Sequence, residues 1–386
     1  MNPPPDTTRS PTVEARGLWV TRFDWRTAEE VRALVDSAAA AHFNILYFQV
    51  RGNADAFYRP GLEPWGARLT GTLGADPGWD PLEVAVRQAH AHGIELHAWL
   101  NAFYGYPSSA SAPLATDPPH ALSQHPDWWM VDLIGQPITD ESGRWLSPAS
   151  DGARTRLAAV AADLARRYLL DGVHLDFVRY PFSMPVDSLS QAEWLKARTS
   201  NPALTLDGYR RTAVADAVRL VRDSLNRARA SARLSAAVWG IYQNTRAWAA
   251  VSTGYDDRLQ DPRAWATAGL LDAIAPMVYW PIATSYGART DFAFLADDHA
   301  AAINQRHVYI GITLEHMIRT GQPFRTTELI AEIERVRDAK AEGVVILSAA
   351  LLRQQNLWRL LGSGPFRRVA SVPAMPWRGP LTAVQP

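Results

Sequence analysis

DGVHLDFVRYP, residues Asp171 to Pro181, is a short apolar run held between two breakers. Val173, Leu175 and Phe177 follow a Gly and precede a Pro, which reads as a buried strand. A helical pattern runs into it from Asp151 to about Tyr168, with Leu157, Val160, Ala161 and Leu164 at helical spacing. One carboxylate, Asp176, sits near the end of the strand, with His174 before it and Arg179 and Tyr180 after it. A carboxylate there is costly unless it is paired or used. In a parallel barrel, the C-terminal strand end is where catalytic groups gather. Asp176 as a core residue held by Arg179 is the plain alternative, and pairing does not exclude catalysis.

Working outward, strand and helix signals alternate in both directions. Strands are expected at Arg16–Thr21, Asn44–Arg51, Glu95–Asn101, the DGVHLDF segment, Arg233–Trp239, Ala273–Trp280, Val308–Thr313 and Val344–Ser348. Helices are expected at Thr27–Ala41, Pro81–His92, Asp151–Tyr168, Leu206–Ala230, Pro262–Gly269, Asp291–Asn304, Thr326–Ala341 and Asn356–Leu361. Thr27 with Glu30 three residues later forms a capping signal, and Asp80 followed by Pro81 forms another. Eight alternations with mostly uninterrupted apolar strands point to an α/β fold, a single-domain (β/α)8 TIM barrel with long βα loops. A doubly wound open sheet is the alternative, but no GxGxxG turn follows any strand. The barrel is expected over residues 15–362, after a disordered leader (1–14) and before a Pro-rich C-terminal tail (363–386). The connection from Asn101 to about Ser150 is too long for a bare loop and reads as a functional excursion.

Bulk composition narrows the function. Lys+Arg and Asp+Glu both number 39, so the formal net charge is zero, which argues against a nucleic-acid partner held by a basic surface. There is no cysteine, which excludes disulfides, thiolate metal sites and a Cys nucleophile. No run of 18 apolar residues is present, so no membrane-spanning segment is expected. The first residues, MNPPPDTTRSPTVEA, lack the apolar stretch of a signal peptide. The 15 Trp are a high count, and many fall in expected loops, where rings stack on sugar faces or pack against Pro-rich turns.

In a barrel, the residues just past each strand meet at one mouth. They comprise Arg22 and Asp24; Gln49, Arg51, Asn53 and Asp55; His97, Trp99 and Asn101; His174, Asp176 and Arg179. From the second half come Trp239, Tyr242 and Asn244; Tyr279 and Trp280; Glu315 and His316; and Ser348. Carboxylates, amides, arginines and aromatics in this mixture suit an oligo- or polysaccharide, with polar groups on hydroxyls and rings on the apolar sugar face. No GxSxG elbow is present and no Lys sits at a strand end, so serine-hydrolase and cofactor chemistry have no handle, and no cofactor is expected. A metal on His97, His174 and Asp176 is conceivable, but a His near a strand end more often bonds a neighbour.

With these residues in hand, the chain resembles the bacterial glycosyl-hydrolase-like family 10, the DUF187 barrel proteins. The matching segments are RGLWVT (16–21), NILYFQVRGNADAFY (44–58), EPWGARLTG (63–71), DPGWDPLEVAVRQAHAHGIELHAWLN (76–101), DGVHLDFVRYP (171–181) and MVYW (277–280), in family order. The resemblance implies a TIM-type barrel acting on glycosidic bonds, usually exported or lipid-anchored, with peptidoglycan glycan strands lacking stem peptides as one substrate. The third strand departs from the family's N-P-Y-R ending, reading Asn101-Ala102-Phe103-Tyr104, and Phe177 stands where a second acidic residue is often found. The same strand is similar to the DGxDxDxE strand of family 18 chitinases, with Asp171, His174 and Asp176 on its Asp positions, but Val178 replaces the proton-donating Glu.

A glycosidase needs two carboxyl groups flanking the bond, about 5–5.5 Å apart if retaining and about 6.5–9.5 Å if inverting. Asp176 therefore requires a partner from another strand. Glu315, in GITLEH, is the first candidate and is expected to face Asp176 across the mouth, unless it pairs with Arg319. Asp55, between Arg51 and Tyr58, is the second, and Asp24 the third. Arg179 or His174 is expected to keep Asp176 ionised. Trp99, Trp239, Tyr279 and Trp280 are expected to shape sugar subsites. The reading is a glycoside hydrolase; a carbohydrate-binding barrel without catalysis and a transglycosylase on the same site remain open, as does the oligomeric state.

Overall fold

The computed structural model describes residues 9–108, 115–140, 143–282, 290–318 and 324–378. Eight parallel strands close into a barrel: β1 (Ala15–Val20), β2 (Ile45–Arg51), β3 (Glu95–Asn101), β6 (Gly172–Asp176), β7 (Arg233–Trp239), β8 (Ala273–Met277), β9 (His307–Thr313) and β10 (Gly343–Leu347). β10 pairs with both β9 and β1, which completes the ring. The remaining two strands, β4 (Tyr104–Pro107) and β5 (Gly143–Trp145), form an antiparallel hairpin within the expected excursion. Among the described residues, no helix is long and apolar enough to cross a membrane.

The period-2 alternation of each strand separates two cores. Leu18, Leu46, Leu96, Val173, Leu234, Ile274, Val308 and Val344 face the surrounding helices. Trp19, Tyr47, Trp99, Ala237, Ala275, Tyr309 and Val345 fill the barrel interior. Both expected caps form: the Thr27 hydroxyl accepts from the Glu30 N–H, and Asp80 accepts from the N–H groups of Leu82 and Glu83.

Three details differ from the sequence expectation. β8 stops at Met277, not Trp280, and the Val278 N–H makes the last bond to β9, on the Gly311 carbonyl. The last helix is split into Ala349–Gln354 and Trp358–Ser363, broken by Asn356 in the left-handed region at φ 54°. A helix at Ser188–Arg198, capped by Asp187, occupies a segment for which no element was expected.

Charged residues close the N-terminal face of the barrel. Buried Arg16 donates to Glu14 at 2.9 Å and to the carbonyls of Phe366, Arg368 and Pro11. Arg337 holds the same Glu14 through two bonds of 2.7 and 2.9 Å. Asp272 accepts from Arg222, Leu234 N–H, Trp377 and Arg378. Of the expected leader, residues 1–8 lie outside the described residues, as do residues 379–386 of the expected tail. Residues 9–14 and 364–378 pass across this face, and Val13 bridges Ser371.

Candidate active site

Asp176 ends β6, in register with Asn101 at the end of β3. The next residue, Phe177, has left-handed backbone (φ 51°), a conformation a non-glycine residue holds only when its surroundings enforce it. This turn brings the Phe177 N–H to 2.6 Å from Asp176 Oδ1, and Arg179 Nη1 lies 3.4 Å from the same oxygen. Burial pushes the Asp176 carboxyl up, Arg179 and the Phe177 N–H draw it back, and the net direction is upward. Desolvation thus outweighs the arginine and the Phe177 N–H in setting the direction of the shift. The Trp99 indole also favours the ionised form of Asp176, although its Nε1 is buried with no partner at hydrogen-bond distance.

Tyr279 stands two residues past β8, with its ring edge-on to Trp19 at 6.5 Å. Burial raises its phenol well above the ordinary value, and Asp176 and Glu315 raise it further. Glu315 is exposed and opens a single turn, Glu315–Met317, just after β9, where its N–H donates to Thr313 Oγ1 at 3.3 Å. Arg319, the alternative partner for Glu315, lies outside the described residues.

The polar groups of β2 and β3 are woven together on another side. Gln49 accepts from the Arg22 N–H and guanidinium and donates to Asn101 Oδ1 at 3.1 Å. Asn101 in turn donates to Gly52 O, and Asn53 accepts from Arg22. Asp55 is buried and accepts from the N–H groups of Gly52 and Asn53 at 3.2 and 2.8 Å. Asp55 supports the charge on Arg22 against the burial that lowers it.

Several expected substrate contacts are engaged elsewhere. Arg51 is buried and bonded to Glu63 by Nε and Nη2, with Nη1 on the Asn101 and Ala102 carbonyls. Its partner is therefore Glu63 in the following loop, and Asp55 is held by backbone instead. His97 sits one layer lower in the barrel, next to Glu95 at 3.2 Å and edge-on to Tyr47. His174 is fully buried: Trp19 Nε1 donates to its Nε2 at 3.0 Å, so its Nδ1 carries the proton toward Ser235 Oγ. It does not touch Asp176, and burial pushes its pKa well down. With both ring nitrogens used, His174 offers no metal ligand. Tyr242 donates to Asp261, and Asn244 closes a turn with both side-chain groups on Trp248. Trp280 is half-buried against the helix-facing core.

The mouth also includes Arg258, Tyr104, Trp145 and Asp140, which the strand-end reading did not single out. The expected Trp239 is half-buried between two guanidinium groups, Arg179 at 5.5 Å and Arg258 at 4.3 Å. Burial and Arg179 push the Arg258 pKa down to about 10. From the excursion come Tyr104 and Trp145, which enclose Phe177 at 5.2 and 5.3 Å, and Asp140, which bonds Trp145 Nε1 and supports the charges of both arginines. Their sequence signal was the length of the excursion and its aromatics, without any pattern fixing which residue turns inward.

The arrangement gathers a buried carboxyl, two arginines and several aromatic rings at one end of the barrel. Comparison with known proteins agrees in kind. Glycosyl hydrolase YngK of Bacillus subtilis is 25% identical over 395 residues, covering 94% of this chain and 74% of that protein. Glycosyl hydrolase DigH of Escherichia coli is 27% identical over 356 residues, covering 83% of this chain and 77% of that one. In fold, the PgaB (BpsB) glycoside hydrolase domain of Bordetella bronchiseptica superimposes with a TM-score of 0.60 at 13% identity, over 90% of this chain and 99% of that domain. The profile of the family described as glycosyl hydrolase-like 10 matches residues 14–323, and the chain belongs to that family.

Proposed function

We propose that this chain is a glycoside hydrolase that cuts a polysaccharide, with peptidoglycan glycan strands as the substrate class, through Asp176 and Glu315 at the C-terminal mouth of the barrel. The observation that carries the reading is Asp176, a carboxyl buried at the mouth end of β6 beside the Phe177 N–H and Arg179. Asp176, buried and shifted upward, gives its proton to the leaving glycosidic oxygen. Glu315, exposed on its turn, supplies the second carboxylate, as nucleophile or as base toward water. Asp55 serves as a positioning group for Arg22 and the Gln49–Asn101 pair. Trp239 and Tyr279 line the sugar subsites, while Trp99 packs in the barrel interior beneath Asp176. A substrate of this kind lies outside the cytoplasmic membrane, so the reading includes export.

The test is digestion of purified glycan strands with and without stem peptides, followed by mass spectrometry of the products and NMR of the first anomeric proton. Shortened strands support the reading, and strands without stem peptides should be cut preferentially. Binding without any shortening would replace it with a carbohydrate-binding barrel, and new glycosidic linkages among the products with a transglycosylase.

A further inference from the structure

Beside the mouth, His316 meets two glutamates of the next helix, Thr326–Asp338. Glu328 and Glu332 stand four residues apart, hence on one helix face. His316 Nε2 lies 2.9 Å from Glu332 Oε1 and 3.8 Å from Glu328 Oε1. One donor atom from each residue falls within 4.8 Å of the other two. The Glu332 and Glu328 side chains are 0% and 1% exposed. Arg325 reaches the far oxygen of Glu328 at 3.2 Å.

The partner inventory of this cluster is incomplete in a specific way. Glu328 Oε1, Glu332 Oε2 and His316 Nδ1 are all buried and have no hydrogen-bond partner among the described residues. Two buried carboxylates side by side, each with an unpartnered oxygen, are strongly unfavourable unless a positive charge joins them. One arginine on the outer oxygen of one of them leaves a net negative charge facing the imidazole.

We infer that His316, Glu328 and Glu332 form a binding site for one divalent first-row transition ion, with His316 Nε2 and one oxygen from each glutamate as ligands. The donor set selects the class. An imidazole with two carboxylates suits zinc or its neighbours at about 2.0–2.2 Å, whereas calcium and magnesium prefer oxygen ligands alone. Burial lowers the His316 pKa, which favours the neutral ring a metal requires. Because His316 follows Glu315 on the same single turn, the ion would pin that turn to the helix behind it. The site stands independently of the hydrolytic reading.

The experiment uses the full chain, stripped with a chelator and titrated with ZnCl2 by calorimetry, with native mass spectrometry for stoichiometry. One zinc per chain is expected, with a melting temperature rise of about 3 °C at a hundredfold excess over Kd. His316→Ala and Glu332→Gln should each weaken binding at least about 100-fold while retaining the wild-type circular dichroism. Cobalt substituted for zinc should show a visible spectrum that is lost in His316→Ala. Absence of zinc binding by the wild-type chain overturns the site, since it would mean that a shared proton balances the glutamates. Zinc binding that survives both substitutions, or a preference for calcium or magnesium, overturns it equally. The wild-type stoichiometry and cobalt spectrum decide the matter even if a variant fails to fold.

Discussion

The two ends of the barrel are both rich in buried charge, and they treat it in opposite ways. At the N-terminal face, Glu14 receives short bonds from Arg16 and Arg337, and Asp272 from Arg222, Arg378, the Trp377 indole and the Leu234 N–H. At the mouth, Asp176 faces its arginine at 3.4 Å, while Arg179 Nε and Trp99 Nε1 are buried without partners. A fully satisfied network fixes a structure, and a partly satisfied one retains capacity for a ligand at a cost in stability. The difference indicates where the fold is held together and where chemistry can occur, even though both ends carry the same residue types.

The comparison breaks first, and by the largest amount, at Asp176. Asp176→Asn keeps the volume and removes the titrating group, so turnover on a confirmed glycan should fall by about a thousandfold or more with little change in melting temperature. Activity above about a tenth of wild type would make Asp176 structural. At the opposite end, Asp272→Ala strands Arg222 and Arg378 and should cost about 3–5 kcal/mol of stability in urea unfolding. Turnover per folded molecule should be unchanged, and a loss of turnover without loss of stability would contradict the division.

A pH experiment sharpens the same contrast. His307, at the N-terminal end of β9, is brought down to about 4 by burial and by Arg233. Its folded value lies below the unfolded one, so the unfolded chain takes up the proton first. Stability is complete above about pH 6.5 and declines toward pH 4, by about 3 kcal/mol from this residue. Replacement by Gln should flatten that part of the profile of urea midpoint against pH; an unaltered slope would remove His307 as the cause. The smallest effect is expected at Trp239, stacked between Arg179 and Arg258. Trp239→Leu should raise KM about tenfold while kcat changes less, and an equal fall of kcat with KM unchanged would assign it a role in the transition state.

The barrel was legible because buried parallel strands are apolar runs whose type and order survive without any knowledge of contacts. Residues Leu18, Val173 and Val308 face the helices as period 2 requires. Depth was not legible. His97, His174 and Asp176 all point inward, but only Asp176 is at the level of the mouth; the two histidines lie in layers below it, one against Glu95 and one between Trp19 and Ser235. Partner choice was equally hidden. Arg51 lies four residues from Asp55 in the chain, whereas the loop folds back and delivers Glu63, twelve residues on. Arg258 and Asp140 come from connections whose length alone was visible.

The pairing of Val13 with Ser371 has a practical consequence. Both ends of the described chain lie against the closed face, opposite the mouth. A support that grips this closed face would therefore display the barrel with its opening directed away from it, and would leave the groups around Asp176 free to meet a long polymer.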